Sequence, residues 1–182
     1  MDDTPITIIG IILAAVIMFI VPLVLLADRN DDISQLIVNT ATAEFVDNVI
    51  KTGKITSNDY QKFVSNLQSS GNIYDIDMEV RILDENTAKV VTDQNPTQLG
   101  SNTYYSIYTT QIEDMISTSD DSSYNLDGKL ILKQGDIISV TVKNSSTTLS
   151  QELKGFYYKI TGSDLNIIVA TETGVIAING ST

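Results

Sequence analysis

The sequence has 182 residues and a formal net charge of −12, and it contains neither cysteine nor histidine. The acidic balance argues against nucleic acid and anionic lipid headgroups as ligands, because both bind basic patches. Without cysteine and histidine, the protein has no disulfides, no thiolate metal sites, and no catalytic triad or zinc site built on histidine.

We therefore expect no metal and no cofactor. An enzyme with this composition would need a carboxylate pair or a Ser-Lys dyad as its catalytic residues. No local signature in the sequence marks either pair, so we predict no catalytic residues and no enzymatic activity.

The chain from Ile6 to Ala27 contains no charged side chain. As a helix it would be roughly 33 Å long, and the hydrocarbon core of a bilayer is about 30 Å thick. We interpret residues 1–27 as an N-terminal transmembrane anchor and residues 28–182 as a single α+β domain. The alternative is a cleaved secretory signal, which would begin with basic residues and have a shorter apolar core, whereas this chain begins Met1-Asp2-Asp3-Thr4-Pro5.

Four residues of this apolar helix bear on its assembly. Ile6 begins it, and Gly10 and Ala14 form a pair of small residues that would let another helix approach closely. Pro22 removes one helical hydrogen bond and favours a kink. The expected partners are the lipid bilayer and copies of the same helix. The plainer interpretation is ordinary membrane composition, since Gly is common in membrane helices.

The orientation in the membrane has conflicting indicators. Arg29 is the one basic residue close to the anchor, and the positive-inside rule then favours a cytoplasmic domain. The domain is rich in Ser, Thr, Asn and Tyr, poor in Lys and free of Cys, which favours an extracytoplasmic location. We predict a single-pass membrane protein with an extracytoplasmic C-terminal domain.

A polar collar, Asp28 to Asp32, follows the anchor. Its D-x-N-x-D pattern is that of a calcium-loop opening, but Ile33 stands where the loop needs Gly and Asn39 where it needs Glu. We interpret the collar as a polar stop at the membrane surface and as the negatively charged start of the next helix.

Two helices are predicted after the collar. Ile33 to Thr52 has apolar residues at helical spacing and ends at Gly53. Thr56 and Asp59 form a capping box for a second helix that ends at Gly71. The buried faces of these helices are Ile37 or Val38, Ala41, Phe45 and Val49 in the first, and Tyr60, Phe63, Val64 and Leu67 in the second.

Next, Tyr74 to Ile82 alternates apolar and polar residues, which predicts a strand with one buried and one solvated face. Its row of carboxylates is explained by that solvated face. We expect a short returning strand at Ala88 to Val91 and a loop from Asp93 to Thr103.

Tyrosines cluster after that loop, at Tyr104, Tyr105 and Tyr108. Their spacing to Ile112, Met115 and Ile116 fits a helix, with a strand start as the alternative. They are a possible surface for a partner, because tyrosine combines an apolar face with a polar tip. We also expect at least two of them to pack in the core. Ser117 to Gly128 is predicted to be an exposed acidic loop, with cation binding as its less favoured use.

The C-terminal part contains strands at Lys129 to Leu132 and at Ile138 to Val142, separated by a turn at Gln134-Gly135-Asp136. Thr148 and Gln151 form a capping box for a helix that ends at Gly162. The chain then finishes with two predicted strands joined around Gly174, Leu165 to Ala170 and Val175 to Ile178. The buried stripe of the helix is predicted to be Leu149, Leu153, Phe156, Tyr157 and Ile160.

The element order predicts an α+β domain in which the anchor continues into an amphipathic helix that packs on a mostly antiparallel sheet. This layout resembles the pilin-like proteins, and most closely the pseudopilins of tight-adherence (Tad) systems. The resemblance covers the N-terminal apolar helix, Gly135 to Val142 and Ile167 to Ile178. It implies a membrane-anchored structural subunit of a bacterial surface pilus or secretion apparatus, with other pilus-assembly proteins as partners.

The chain departs from that family at its start, where Met1 to Pro5 is short and acidic and Ile6 to Ala27 contains no Glu. Processing by a prepilin peptidase and a Glu-set register in a filament therefore do not follow from the resemblance. The alternative function is a membrane-tethered module that binds another envelope protein through the tyrosines and the acidic loop.

Replacing Val16, near the middle of the apolar helix, with Arg should cost about 2.5 to 3.5 kcal/mol of membrane insertion. We expect Val16→Arg to move the full-length protein from the membrane fraction towards aggregation or degradation, as measured by cell fractionation. A chain that begins at Asp31 should stay folded and soluble, because the predicted core starts at Ile33. Failure of that shorter chain to fold would show that the apolar helix belongs to the core.

Overall fold

The structure, a computed structural model, describes residues 4–84, 103–117, 128–161 and 167–180. These residues form a long apolar N-terminal helix and antiparallel sheets, which confirms the predicted α+β class. The predicted strand at Ala88 to Val91, most of the loop that follows it, the interior of the Ser117 to Gly128 loop and the helix end at Gly162 lie outside the described residues. In chain order the elements are α1 (Thr4–Thr52), β1 (Lys54–Thr56), α2 (Ser57–Gln68), β2 (Tyr74–Asp84), β3 (Thr103–Tyr108), α3 (Thr109–Ser117), β4 (Lys129–Ile131), β5 (Ile137–Asn144), α4 (Leu149–Thr161) and β6 (Val169–Val175).

Helix α1 joins the predicted anchor and the predicted amphipathic helix in one continuous helix of 49 residues, which passes through Pro22 without a break. It ends as predicted at Gly53, whose φ of +65° is a conformation that residues with a side chain rarely adopt. Ile33 is 56% exposed, so the prediction that the core starts there is wrong. Along the chain, Val38 is the first residue of the main core cluster. It lies one turn after the buried Ser34, on the same face of α1.

Helix α2 begins at the predicted capping box. The Thr56 hydroxyl accepts the backbone N–H of Asp59 at 3.1 Å, and the same hydroxyl contacts the Asp59 carboxylate at 2.6 Å. Phe63 of α2 stacks on Phe45 of α1, with ring centroids 4.6 Å apart. The second half of α1 and the adjoining helix are thus joined through buried aromatic rings.

The main sheet has four antiparallel strands in the order β3-β2-β5-β6, and β1 pairs with β4 in a separate two-stranded sheet. Val80 lies opposite Ile107 on one side and Ile138 on the other, and all three are buried. We call this side of the sheet the inner face. It joins the core cluster to which α1 contributes Val38, Ala41, Phe45, Val46 and Val49.

The opposite side, the outer face, carries the polar residues of the alternating strands. Asp77 and Glu79 of β2 lie opposite Thr141 and Ser139 of β5. The Ser139 hydroxyl is hydrogen bonded to Thr173 of β6 at 2.9 Å. The carboxylate row of the sequence is therefore a sheet face, as predicted.

Of the two alternatives for the tyrosine segment, the strand start is the one observed, and one prediction about α4 is wrong. Tyr104 to Tyr108 form strand β3, and the helix starts only at Thr109, whose side chain accepts the backbone N–H of Met78 at 2.7 Å. Leu149 is 54% exposed, because it is the first residue of α4 and lies outside its packed face. The side chains of the predicted stripe from Phe156 onwards lie outside the described residues.

The two strands predicted at the C-terminus are one strand, β6, which runs through Gly174. A Cβ on Gly174 would overlap the side chain of Ile50, so glycine there allows α1 to approach β6 closely and does not mark a turn. Beyond the strand, Ile176 donates its N–H to the carbonyl of Asp136 at 2.8 Å.

Because Ile50 occupies that space, we expect Gly174→Val to lower the free energy of unfolding by about 1 to 3 kcal/mol through overpacking. Urea unfolding of the full-length protein in detergent, followed by circular dichroism, measures the loss. The control is Thr173→Val, which places the same side chain on the outer face. It removes the exposed hydrogen bond to Ser139, which the higher strand propensity of Val offsets, so stability should change by less than about 0.5 kcal/mol. Equal losses in the two variants would contradict the close approach of α1.

Candidate functional site

The first half of α1 presents apolar side chains on all sides. Among its large apolar residues that are exposed, the exposed fraction ranges from 44% at Leu23 to 76% at Phe19. Of the described residues, this is the stretch long and apolar enough to cross a membrane. A soluble monomer rarely exposes so large a continuous apolar surface, and such surfaces commonly mark contacts with a membrane or another protein.

The predicted assembly residues all lie on this exposed surface. Ile6 is 71% exposed, and Ala14 and Pro22 are also exposed. At Gly10, apart from the backbone of its own helical turn and its chain neighbours, no atom of the described chain lies within 4 Å of the position that a Cβ would take. The space that a second helix needs beside Gly10 and Ala14 is therefore open, and self-association through them stays a prediction.

The apolar half ends at a junction between α1 and α4. Asp28 and Asp31 lie three residues apart, on one face of α1. Asp28 accepts a hydrogen bond from the Ser150 hydroxyl and pairs with Lys154. Asp31 accepts a hydrogen bond from the Thr148 hydroxyl at 2.8 Å. The predicted collar is thus the attachment point of α4.

The N-terminus of α4 is suited to these carboxylates. The hydroxyl of Thr148 accepts the N–H of Gln151, and the Gln151 side chain accepts the N–H of Thr148, both at 3.2 Å, which confirms the predicted capping box. The remaining N–H dipoles at the start of the helix favour negative charge nearby. Hydrogen bonds from Lys154 and then Ser150 lower the pKa of Asp28 below its ordinary value.

A second polar contact connects α1 to the end of the sheet. The side-chain amide of Gln35 donates to the carbonyl of Val169 at 2.8 Å and accepts its N–H at 3.1 Å. These are the hydrogen bonds that a neighbouring strand would make with Val169 at the unpaired edge of β6. Sequence reasoning missed the contact because its partners are 134 residues apart.

The three tyrosines do not form one surface. Tyr104 and Tyr108 lie on the outer face of β3, and Tyr105 lies on the opposite side, since side chains alternate along a strand. Tyr105 is 54% and Tyr108 58% exposed, so the expectation that at least two tyrosines pack in the core is wrong. The reason is that β3 is an edge strand. The guanidinium carbon of Arg81 lies over the ring of Tyr104, 5.1 Å from the ring centroid.

A half-buried phenol joins α2 to α3. Tyr60 donates a hydrogen bond to Glu113 at 2.5 Å, and burial together with this contact raises the pKa of Tyr60 above its ordinary value. The phenol therefore stays protonated and acts as a hydrogen-bond donor between two helices. This arrangement supports packing, and it supplies no nucleophile.

Within the described ranges, no three Asp or Glu side chains come together in a way that could hold a metal ion. Asp28, the first residue of the D-x-N-x-D pattern, contacts α4 instead, as does the neighbouring Asp31. The acidic loop for which cation binding was the less favoured use lies outside the described residues.

No family model matches the sequence, and no curated protein or solved structure matches it either. The resemblance to Tad pseudopilins rests on the sequence pattern alone and stays a prediction.

We expect Asp28→Asn to weaken the docking of α4 on α1 by about 1 kcal/mol. Its contacts with α4 are charge-assisted hydrogen bonds, and partial exposure to solvent reduces their contribution to stability. Hydrogen–deuterium exchange of the peptide covering residues 147–155 in the full-length protein should then be faster by about fivefold. The matched control is Asp32→Asn. Asp32 lies one helical turn after Asp28 on α1, and it is exposed.

This contact should also depend on pH. The folded pKa of Asp28 is below its unfolded value, so its stabilisation is complete above the unfolded pKa of about 3.9 and is lost as the pH falls through the folded pKa. The stability difference between wild type and Asp28→Asn, measured by urea unfolding, should be constant from pH 7 to pH 5 and vanish in stronger acid. A difference that vanishes already near pH 6 would contradict this assignment.

Proposed function

We propose that this chain is a membrane-anchored, pilin-like structural subunit of a bacterial surface pilus or secretion apparatus, and that it assembles through α1. The observation that carries the proposal is the single helix α1, whose first half is apolar and exposed while its second half contributes to the core. One rigid element thus joins an apolar rod to a folded domain.

The apolar half needs lipid or other helices around it. Covering a large aliphatic side chain stabilises a protein by about 1.5 to 3 kcal/mol, so this half of α1 gains on the order of tens of kcal/mol on leaving water. Its backbone hydrogen bonds are internal to the helix, which permits insertion into a bilayer. We place Ile6 to Ala27 across the membrane, with the second half of α1 packed on the sheet.

The collar then lies at the membrane surface. Asp28, Asp31 and the α4 N-terminus are polar groups that require water or one another. The domain extends from that level, and we place it on the extracytoplasmic side because of its Ser, Thr, Asn and Tyr content and its lack of Cys.

Assembly would exchange lipid for neighbouring helices. Side chains of a second α1 offer an equally apolar environment, so helices leave the bilayer for a fibre core at little cost in hydrophobic burial. Gly10 and Ala14 supply a place where two helix backbones approach closely.

The alternative function is a membrane-tethered module that binds another envelope protein. The observation in its favour is the exposure of Tyr105 and Tyr108, which are large amphipathic side chains of the type enriched in protein interfaces. Such a module would need α1 only as a tether, and its α1 helices would not contact one another.

Because the native chain has no cysteine, single cysteines report on contacts between copies without further changes. Successive residues of a helix differ by about 100°, so Ile11→Cys, Ile12→Cys, Leu13→Cys and Ala14→Cys sample all sides of α1. We expect oxidation in native membranes to give strong disulfide-linked dimers at one or two of these positions, as measured by non-reducing electrophoresis. Monomers at all four positions would contradict assembly through α1 and favour the tethered module.

The control cysteine is Thr173→Cys, on the outer face of β6 and away from α1. We expect it to remain monomeric under the same oxidation. In intact cells it should react with a membrane-impermeant maleimide, because the domain lies outside the membrane barrier. Labelling only after cell lysis would place the domain in the cytoplasm.

A further inference from the structure

The outer face of the sheet contains a groove that the membrane anchor does not explain. Its volume is about 430 Å³, within the range of small-molecule sites, and it is a shallow groove that is widely open to solvent. Asp77 and Glu79 of β2, Tyr108 of β3, and Ser139 and Thr141 of β5 line it. These residues are far apart in sequence, and strand pairing alone brings them together.

Strand register arranges these side chains in two rows. Tyr108, Glu79 and Ser139 are cross-strand neighbours in the first row, and Asp77 and Thr141 are neighbours in the second. Adjacent strands lie about 4.8 Å apart, so the first row spans roughly 10 Å from ring to hydroxyl. An aromatic ring thus stands at one end, with carboxylates in the middle and hydroxyls at the other end.

Other contacts hold these groups in place. The backbone N–H of Tyr108 donates to the Gln111 side chain at 3.0 Å, and Glu79 accepts the hydroxyl of Ser106 at 2.6 Å. Ser139 and Thr141 are each hydrogen bonded to a threonine of β6, at 2.9 and 3.1 Å. One proton serves each hydroxyl pair, so each pair keeps a second O–H donor and free acceptor lone pairs.

This set of groups matches a neutral polyhydroxylated ring. The exposed Tyr108 ring can stack on the apolar face of a sugar, carboxylates accept hydrogen bonds from adjacent sugar hydroxyls, and the Ser and Thr hydroxyls both donate and accept. A cationic ligand fits less well, because the Lys143 ammonium already lies 3.8 Å from Asp77. A metal ion fits less well too, since only two carboxylates line the groove.

We propose that the groove formed by Tyr108, Glu79, Asp77, Ser139 and Thr141 is a binding site for a neutral carbohydrate. The site lies on the domain, and its operation does not depend on whether α1 assembles.

The test uses full-length protein in phosphatidylcholine nanodiscs, so that no sugar-based detergent competes. Cellotriose, maltotriose and tri-N-acetylchitotriose serve as probes, with trilysine as the cationic comparison, and saturation-transfer NMR measures binding. We expect at least one trisaccharide to bind with a Kd on the order of 1 mM. Tyr108→Ala should weaken that binding by about tenfold through loss of the stacking surface.

The control is Tyr105→Ala, because Tyr105 belongs to the same strand, is similarly exposed and lies on the opposite face. It should leave binding unchanged. Glu79→Gln and Thr141→Val each test the groove from another strand and should weaken binding severalfold, and circular dichroism checks that each variant is folded. Absence of binding by all three trisaccharides up to roughly 20 mM, equal losses in Tyr105→Ala and Tyr108→Ala, or binding of trilysine alone would overturn the proposal.

Discussion

The structure depends on one constraint, that a single uninterrupted helix carries two different surfaces. Helix α1 is roughly 74 Å long at about 1.5 Å per residue. Its first half exposes apolar side chains all round, whereas its second half buries Val38, Phe45 and Val49 in the core. Because helical hydrogen bonds are internal, the backbone is unaffected by the change of surroundings, and only the side chains distinguish the two halves.

The transition between the two surfaces of α1 coincides with the attachment of α4. Carboxylates on α1 would be costly within lipid and need polar partners at its surface. Asp28 and Asp31 find them in Lys154 and in the hydroxyls at the start of α4. One helical turn after Asp31, the side chain of Gln35 forms a hydrogen bond with Val169 at the edge of β6. The point at which the exposed apolar surface of α1 ends is thus also the point at which the domain begins to pack.

The sequence predicted well those elements whose signals are local. The charge-free stretch, the Thr56 and Thr148 capping boxes and the alternation in β2 each lie within a few residues of what they determine. The misassigned elements depend on distant residues. Gly174 is explained only by Ile50, more than a hundred positions earlier, and Tyr105 is exposed only because β3 is at an edge. For the same reason the apolar half of α1 was predictable, whereas the groove, which needs the register of three strands, was not.

The groove and the part of α1 that packs in the domain lie on different sides of the sheet. Met78, Val80 and Val140 face the core to which α1 contributes, and side chains alternate along a strand. Asp77, Glu79 and Ser139 must therefore face away from that core, with Tyr108 beside them. The first half of α1 and the groove share no residues, so association through α1 does not itself require the groove to be covered. A groove on the inner face would have been closed by the packing that holds the domain together.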